Sequence, residues 1–238
     1  MKEGSETVLI QANKLTYSVE WNMLIQEMSL DIYSKKIVSV IWYNWSWKST
    51  LLKLLLWILS PTAWDIIRKP WMKMWYVPQK LSLVENIPLT VQDFLNIYNN
   101  EISKKTDITC NLLDIELLRD KLMSGLSWGE LQKVLIYNAL IGNPDMLLLD
   151  EPTSWLDVVA QKEFYALIDH LHKEHNMTIV IVSHDIHTVY SKSDTVICIH
   201  KGICCTGSPW NIGFSDQMTN LFDGYVVPYL HTHTQHDR

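Results

Sequence analysis

Glycine is scarce in this chain. The 238 residues include only 8 glycines but 11 tryptophans, whereas glycine alone usually supplies about 7% of a protein. A single tryptophan is most often a large core residue, but that explanation does not fit Trp42, Trp45 and Trp47, which crowd one tight turn. We interpret most or all of the tryptophans as positions that are glycine in the working protein. The others are Trp21, Trp57, Trp64, Trp71, Trp75, Trp128, Trp155 and Trp210.

Other features are also missing. No apolar run approaches the roughly 18 residues that cross a bilayer, and residues 1–6 lack the apolar core of a signal peptide. The four cysteines give no disulfide framework, which indicates a reducing compartment. The net charge is −6, so electrostatics does not favour nucleic-acid binding. We therefore expect a soluble, cytosolic protein with a core large enough for one domain.

Strand-like and helical segments alternate along the chain. This alternation predicts an α/β fold with a largely parallel central sheet. The stretch 88–142 has no convincing strand and predicts a helical insertion, and residues 229–238 form a polar tail. The predicted strands are Val8–Tyr17, Ile37–Ile41, Met74–Val77, Met146–Leu149, Thr178–Val182 and Thr195–His200. The predicted helices are Ser49–Leu56, Val91–Tyr98, Leu126–Ile141, Val158–His172 and Ile186–Lys192.

The first chemical motif lies between a predicted strand and a predicted helix. Residues 42–49 have the spacing G-x-x-x-x-G-K-[ST] of a phosphate-binding loop, with tryptophan at both glycine positions. Such a loop wraps phosphate with backbone N–H groups in conformations that favour glycine. An indole at position 47 would compete with the phosphates for space. The candidate phosphate-binding residues are Trp42, Asn44, Trp45, Ser46, Trp47, Lys48, Ser49 and Thr50.

The second motif is an apolar run, Met146–Leu149, that ends in Asp150 and Glu151. Two acids after a strand are also an ordinary strand end, but their separation from Lys48 and Ser49 favours function. Asp150 is predicted to hold Mg²⁺ through water, while Ser49 ligates the ion directly. Glu151 is predicted to be the base that deprotonates an attacking water.

The third motif is Leu126-Ser127-Trp128-Gly129-Glu130, which opens a predicted helix. Backbone donors and the helix dipole attract an anion at such a position. The same residues also predict a plain capping box, with Ser127 as N-cap and Glu130 three residues later. Both interpretations can hold together. With glycine at position 128 the motif becomes Leu-Ser-Gly-Gly-Glu.

Seven motifs in this order resemble the ATP-binding subunits of ATP-binding-cassette (ABC) transporters over nearly the whole chain. The resemblance implies a P-loop NTPase fold of the ABC type over residues 1–228, with a helical subdomain at about 88–142 and an N-terminal antiparallel β part. It also implies ATP and Mg²⁺ as cofactors. The motifs are the adenine-stacking Tyr17, the Walker A loop 42–50, the Q-loop 76–79, the signature 126–130, Walker B 147–152, the D-loop 154–157 and the switch histidine in 182–185.

The same resemblance implies a division of labour among these residues. Each ATP is expected to lie between the Walker A loop of one copy and the signature of a second copy. Lys48 then contacts the β- and γ-phosphates, and Gln79 senses the γ-phosphate and links to the membrane subunit. The implied catalytic residues are Glu151, His184 and Gln79, the implied Mg²⁺ ligands are Ser49, Gln79 and Asp150, and the implied nucleotide contacts include Tyr17, Ser127, Trp128, Gly129 and Asp157.

The subfamily also shows in the sequence. Segments 76–81, 88–91 and 203–209 resemble the ATP-binding subunits of zinc and manganese importers. This implies zinc, or else manganese, as cargo, and as partners a membrane permease, a second copy and, indirectly, an extracytoplasmic metal-binding protein. It places the chain at the cytoplasmic face of a bacterial membrane, without nucleic acid. The tail residues His231, His233 and His236 fit metal binding and a solvated tail equally well.

Two alternatives depend on the tryptophans. If they are real, the chain is a non-hydrolysing regulatory or assembly subunit, although Lys48, Asp150, Glu151 and His184 are all intact. If they are glycines, bacterial codes that differ in reading UGA as glycine or tryptophan explain the exchange.

A third class, soluble ABC ATPases of repair or translation, predicts duplicated cassettes or long insertions, and the chain has neither. Tyr43 and Asn138 also depart from the family pattern, where proline and arginine are common, but neither removes a catalytic group.

Overall fold

The computed structural model describes residues 7–42, 48–63, 65–79, 88–98, 113–183, 192–200 and 202–213. The strands within these ranges are β1 (Val8–Val19), β2 (Asn22–Tyr33), β3 (Ile37–Trp42), β4 (Ile66–Arg68), β5 (Met74–Val77), β6 (Met146–Asp150), β7 (Thr178–Ser183), β8 (Thr195–His200) and β9 (Gly202–Gly207). The α-helices are α1 (Lys48–Leu55), α2 (Val91–Tyr98), α3 (Trp128–Ile141), α4 (Val158–His175) and α5 (Pro209–Gly213), with 3-10 helices at Ile115–Leu118 and Met123–Gly125.

The central sheet has six strands in the order β5-β6-β7-β3-β8-β9. The first five run parallel, and β9 pairs antiparallel with β8. Because parallel strands end at the same edge, the residues that follow β3, β5, β6 and β7 meet there. This edge therefore carries Gln79 after β5 and the acid pair Asp150 and Glu151 at the end of β6. The prediction of a mainly parallel α/β sheet is confirmed.

A second, antiparallel sheet has the strand order β2-β1-β4. It confirms the N-terminal antiparallel part. The sequence had predicted β1 but neither β2 nor β4, and it also missed β9 and α5. Cys198 on β8 is disulfide-bonded, contrary to the expectation from cysteine spacing.

Alternate residues of the central strands face opposite sides of the sheet. On β6, Leu147 and Leu149 pack into a core cluster with α2, α3 and α4. Their neighbours Met146 and Leu148 pack on the other side, with α1 and the antiparallel sheet. All five residues of β6 are buried, because helices or a second sheet cover both faces. This strand is thus a rigid support for the acids at its end.

The helical insertion contains no strand within its described residues, 88–98 and 113–142. Helix α2 has the predicted bounds, and α3 begins two residues later than predicted. The predicted helix Ile186–Lys192 lies outside the described residues except for Lys192, whose ammonium contacts the Asp169 carboxylate on α4 at 2.5 Å.

Candidate functional site

Asp150 is the last residue of β6, and only 4% of its surface is exposed. Its Oδ2 accepts a hydrogen bond from the Ser49 hydroxyl at 2.9 Å. The same oxygen accepts a second one from the Tyr76 hydroxyl at 3.0 Å. One carboxylate oxygen therefore connects β6 to the first turn of α1 and to β5. The contact brings Ser49 and Asp150 together, and the roles predicted for them as Mg²⁺ ligands stay predictions.

Glu151 follows at the turn after β6 and is 6% exposed. Its Oε2 accepts hydrogen bonds from Gln79 Nε2 and from Ser154 Oγ, each at 3.0 Å. Its backbone has φ of +45° and its N–H donates to the Val182 carbonyl on β7 at 2.9 Å. Since an L-residue adopts this left-handed conformation at a cost, the fold imposes the direction of the Glu151 side chain.

The sequence indicated Tyr76 only as part of a subfamily motif and gave it no role in the site. Burial, followed by the negative charge and hydrogen bond of Asp150, raises the pKa of the Tyr76 hydroxyl. The hydroxyl therefore stays protonated and acts as a donor. Ser154 was likewise named only within the D-loop. The sequence alone carried no signal for this contact of Tyr76, because it depends on strand register. Tyr76 pairs with Leu148 on β6, and Asp150 is two residues further along the same face.

The signature segment forms the N-terminus of α3. Ser127 is the N-cap, its hydroxyl accepts from the Glu130 N–H, and the Glu130 carboxylate accepts from the Ser127 N–H. The hydrogen bond from the Lys121 ammonium, together with the one from Ser127, lowers the pKa of Glu130 to about 2. The capping box is thus confirmed. The predicted nucleotide contact of Ser127, Trp128 and Gly129 stays a prediction.

Trp128 and Trp155 stack on one another, with ring centroids 5.9 Å apart. Both remain largely exposed, at 43% and 53%. The stack covers the start of α3 beside the D-loop. Asp157, at the end of that loop, caps α4 by accepting from the Ala160 N–H at 2.8 Å. The structure thus gives Asp157 a role as helix cap. Its predicted contact with nucleotide stays a prediction.

Two other tryptophans occupy backbone positions that favour glycine. Trp57 follows α1 with φ of +60°. Its N–H donates to the Leu54 carbonyl, and the Ile58 N–H donates to the Lys53 carbonyl. These are the bonds of a Schellman motif, whose left-handed residue is usually glycine.

Trp71 is the second case. It follows Pro70 in a turn closed by the Met72 N–H and the Lys69 carbonyl, with φ of +63°. Proline followed by a residue of positive φ is the arrangement of a type II turn, which requires glycine at that place. The Trp71 indole is 98% exposed and so gains nothing from packing.

Several predicted residues lie outside the described parts of the chain. These are Asn44, Trp45, Ser46, Trp47 and His184, the tail histidines, and the side chains of Trp42 and Lys48. Thr50 lies in α1, half-buried. Tyr17 lies on β1 and packs partly buried against the cluster beneath α1, and its predicted contact with adenine is not tested by this position.

Two features are absent from the part of the chain that the structure describes. No group of three or more His, Cys, Asp or Glu side chains is arranged to hold a metal ion. No helix among them has the length and apolar character needed to cross a membrane.

The comparisons with known proteins agree along most of the chain. A family model described as ABC transporter matches residues 25–154. The zinc import ATP-binding protein ZnuC of Haemophilus ducreyi is 35% identical over 96% of the chain and 88% of the relative. The ZnuC protein of Rickettsia bellii is 37% identical over 88% of the chain and 90% of the relative. That of Yersinia pseudotuberculosis is 35% identical over 97% of the chain and 93% of the relative.

Solved structures agree on the fold. An ABC transporter assigned to the metal-chelate type and solved in an inward-facing conformation superposes with a TM-score of 0.80 at 25% identity, covering 91% of this chain and 90% of that one. The cbiO1 protein of Clostridium perfringens, part of the ABC transporter complex cbiONQ, gives 0.76 at 24% identity, covering 90% and 93%. Since the family model and the relatives agree, this chain belongs to the ABC transporter family.

Proposed function

We propose that this chain is the ATP-hydrolysing subunit of an importer for zinc, with manganese as the second choice of cargo. The ATPase domain spans residues 1–228, with the helical subdomain at about 88–142. Two copies face each other, and each ATP lies between the Walker A loop of one copy and the Ser127 signature of the other. The close relatives that carry the name zinc import ATP-binding protein support the choice of cargo.

One observation carries the assignment of ATP hydrolysis. Three segments that are far apart in sequence bring two hydrogen-bonded pairs, Ser49–Asp150 and Gln79–Glu151, into one group of neighbours at the carboxyl edge of the central sheet. A buried acid pair without function would leave two charges to be compensated inside the protein, which is costly. Here hydroxyl and amide donors compensate the two acids, and the group is suited to binding a metal–phosphate group and a reacting water.

The donors in this group fit Mg²⁺. A hydroxyl from Ser49, a carboxylate from Asp150 and an amide oxygen from Gln79 are all hard oxygen ligands, which this ion prefers. When bound, Mg²⁺ neutralises charge on the phosphate oxygens. We assign Ser49 as the direct ligand, Asp150 as the ligand through water, and Gln79 as a ligand that also faces the γ-phosphate.

Glu151 is positioned to act as the general base. Gln79 and Ser154 direct its carboxylate, so that it can orient an attacking water and accept its proton. Lys48 and His184 are proposed to stabilise charge on the transferred phosphate, and Tyr17 to stack on adenine. Asn44, Ser46 and Thr50, with glycine in place of Trp42, Trp45 and Trp47, complete the loop around the phosphates. Gly129 and Asp157, with glycine in place of Trp128, contact the nucleotide from the facing copy.

The partners follow from this assignment. A membrane permease binds at the Gln79 region and the helical subdomain, and the chain works at the cytoplasmic face of the membrane. An extracytoplasmic metal-binding protein acts with the permease and does not touch this chain. The cargo is tested by deleting the gene: we expect growth to fail when zinc is chelated and to recover when zinc is added. Normal growth under zinc and manganese depletion, with failure on another nutrient, would contradict the assignment.

A second candidate function has one observation in its favour. The Trp128–Trp155 stack lies on the signature, where a facing nucleotide would need space. If tryptophan is the native residue there, the chain is a regulatory or assembly subunit that does not hydrolyse ATP. Steady-state release of phosphate from ATP by protein purified from the native cells separates the two functions, because only the ATPase turns ATP over.

A further inference from the structure

The backbone around two tryptophans gives independent information on their identity. Trp57 is the left-handed residue of a Schellman motif, and Trp71 is the third residue of a turn of type II geometry. Both places favour glycine for the same reason, since a Cβ in this conformation approaches the backbone too closely. Neither position belongs to a nucleotide-binding motif. The argument therefore does not rest on the proposed function.

The surroundings of Trp57 also oppose an indole. The Arg68 guanidinium lies 5.0 Å from the centre of the Trp57 ring. Two of its nitrogens, Nε and Nη2, are buried without a hydrogen-bond partner. A buried donor without a partner is costly, and a cation–π contact returns only part of that cost. Glycine at position 57 would remove the indole from this face of the guanidinium.

We infer that the native protein has glycine at these positions. The tryptophans in the sequence then arise because UGA codons for glycine have been translated as tryptophan. Trp21 and Trp71, which are 99% and 98% exposed, agree with this. Trp75 is the exception among the described tryptophans, since it packs partly buried against the core. Recoding nevertheless predicts glycine there too, if the codon is UGA.

Peptide mass spectrometry of protein purified from the native cells tests this inference position by position. We expect glycine at Trp57 and Trp71, and at Trp42, Trp45, Trp47 and Trp128. Tryptophan at Trp57 and Trp71, or UGG codons there, would overturn it. Positions 57 and 71 lie outside the site. Glycine at 57 and 71 together with tryptophan at 42 and 47 would therefore refute the ATPase assignment and leave the argument from the backbone intact.

A different observation concerns Tyr76. Its hydroxyl and that of Ser49 donate to the same Asp150 oxygen. The parallel pairing of β5 with β6 fixes this contact, because Tyr76 is opposite Leu148. Tyr76 is also packed against the core cluster beneath α1, so its ring has little freedom to turn away. The hydroxyl is therefore a fixed donor to the carboxylate.

The geometry points to Tyr76 as a positioning residue for the metal site. It acts through Asp150: its hydrogen bond sets the orientation of the carboxylate whether or not Ser49 is bound to the metal. This inference rests on the proposed function. Partners of this kind, which orient a ligand without touching the metal, typically account for about 10–100-fold in metal affinity.

The test uses Tyr76→Phe, which removes the hydroxyl and keeps the ring, and Tyr33→Phe as a matched control on the antiparallel sheet. Both are made in the chain with glycine at all tryptophan positions. Mn²⁺ binding to the ADP complex is measured by electron paramagnetic resonance, and ADP affinity in EDTA by calorimetry. We expect Tyr76→Phe to weaken Mn²⁺ binding about 10-fold, with ADP affinity in EDTA unchanged and Tyr33→Phe unaffected.

Two results would overturn the role of Tyr76. One is unchanged Mn²⁺ binding by Tyr76→Phe. The other is an equal loss of Mn²⁺ and ADP affinity, which indicates general damage to the fold. If the parent chain binds no nucleotide at all, the proposed function fails and the inference about Tyr76 fails with it.

Discussion

Gln79 and Glu151 are hydrogen-bonded to each other, with the Gln79 amide nitrogen 3.0 Å from Glu151 Oε2. The first residue follows β5 and the second follows β6, so the bond joins the ends of two neighbouring strands. A shift of the segment that carries Gln79 therefore changes the hydrogen bonding of the proposed base directly. If the permease binds this segment, its conformation reaches Glu151 through a single contact.

Substitution of Glu151 by glutamine tests the base. In Glu151→Gln we expect ATP hydrolysis to fall by about 10²–10⁴-fold, because the amide cannot accept the proton of the attacking water. The shape and the hydrogen-bond acceptor are kept, so ATP binding should persist. Steady-state phosphate release and ATP affinity are measured alongside Glu174→Gln, an exposed residue of α4. Unchanged hydrolysis in Glu151→Gln would remove this residue from the mechanism.

Ser154 provides a second test of the same carboxylate. Its hydroxyl donates to Glu151 Oε2 and lies equally close to the Glu151 carbonyl. We expect Ser154→Ala to lower kcat about 10-fold, since a hydrogen bond to a charged group contributes about 1.5–3 kcal/mol. The KM for ATP should stay within about twofold. Ser18→Ala on β1 is the control, and a rise in KM at constant kcat would contradict this role for Ser154.

Replacement of tryptophan by glycine should have opposite effects on stability at two positions. Trp71→Gly relieves a left-handed residue whose indole is solvent-exposed, and we expect a gain of about 1 kcal/mol in the free energy of unfolding. Trp75→Gly removes a ring that packs against the core, and we expect a loss of about 3 kcal/mol or more. Urea denaturation measures both. A loss of stability in Trp71→Gly would contradict the backbone argument.

The pKa of Glu130 predicts a dependence of stability on pH. Because this pKa is lowered to about 2 in the folded chain, the folded state favours the ionised carboxylate. Its contribution is full above the unfolded pKa of about 4.3 and disappears as the pH falls through about 2. We expect Glu130→Gln to be less stable than the parent chain at pH 6, and this difference to vanish near pH 2. A constant difference in urea denaturation across that range would show that the charge is not responsible.

The sequence predicted the parts of the fold whose pattern is strong. Strands β5 and β8 and helix α2 have the predicted bounds, because apolar runs of these lengths allow few alternatives. Strand β2 was missed although Met28, Leu30 and Ile32 alternate, since its first half mixes exposed and buried residues. The three-residue strand β4 is too short to leave a periodic signal.

The candidate site also has parts that the sequence predicted and parts that it did not. Motif spacing placed Ser49 in the first turn of a helix and Asp150 and Glu151 at a strand end, where the structure has them, because such boundaries can be located from the chain alone. The contacts of Tyr76 and Ser154 could not be derived in this way. They depend on the pairing of β5 with β6 and on the turn after Glu151, which only the three-dimensional structure supplies.

The left-handed backbone of Glu151 sets a trade-off between stability and activity. Left-handed conformations cost a residue with a Cβ about 1–2 kcal/mol, and glycine or asparagine at this position would relieve much of that cost. Mutants selected for thermal tolerance alone should therefore exchange Glu151 early and lose catalysis. A population grown hot in medium where the importer is dispensable should accumulate such exchanges, and one that depends on the importer should retain the strained glutamate.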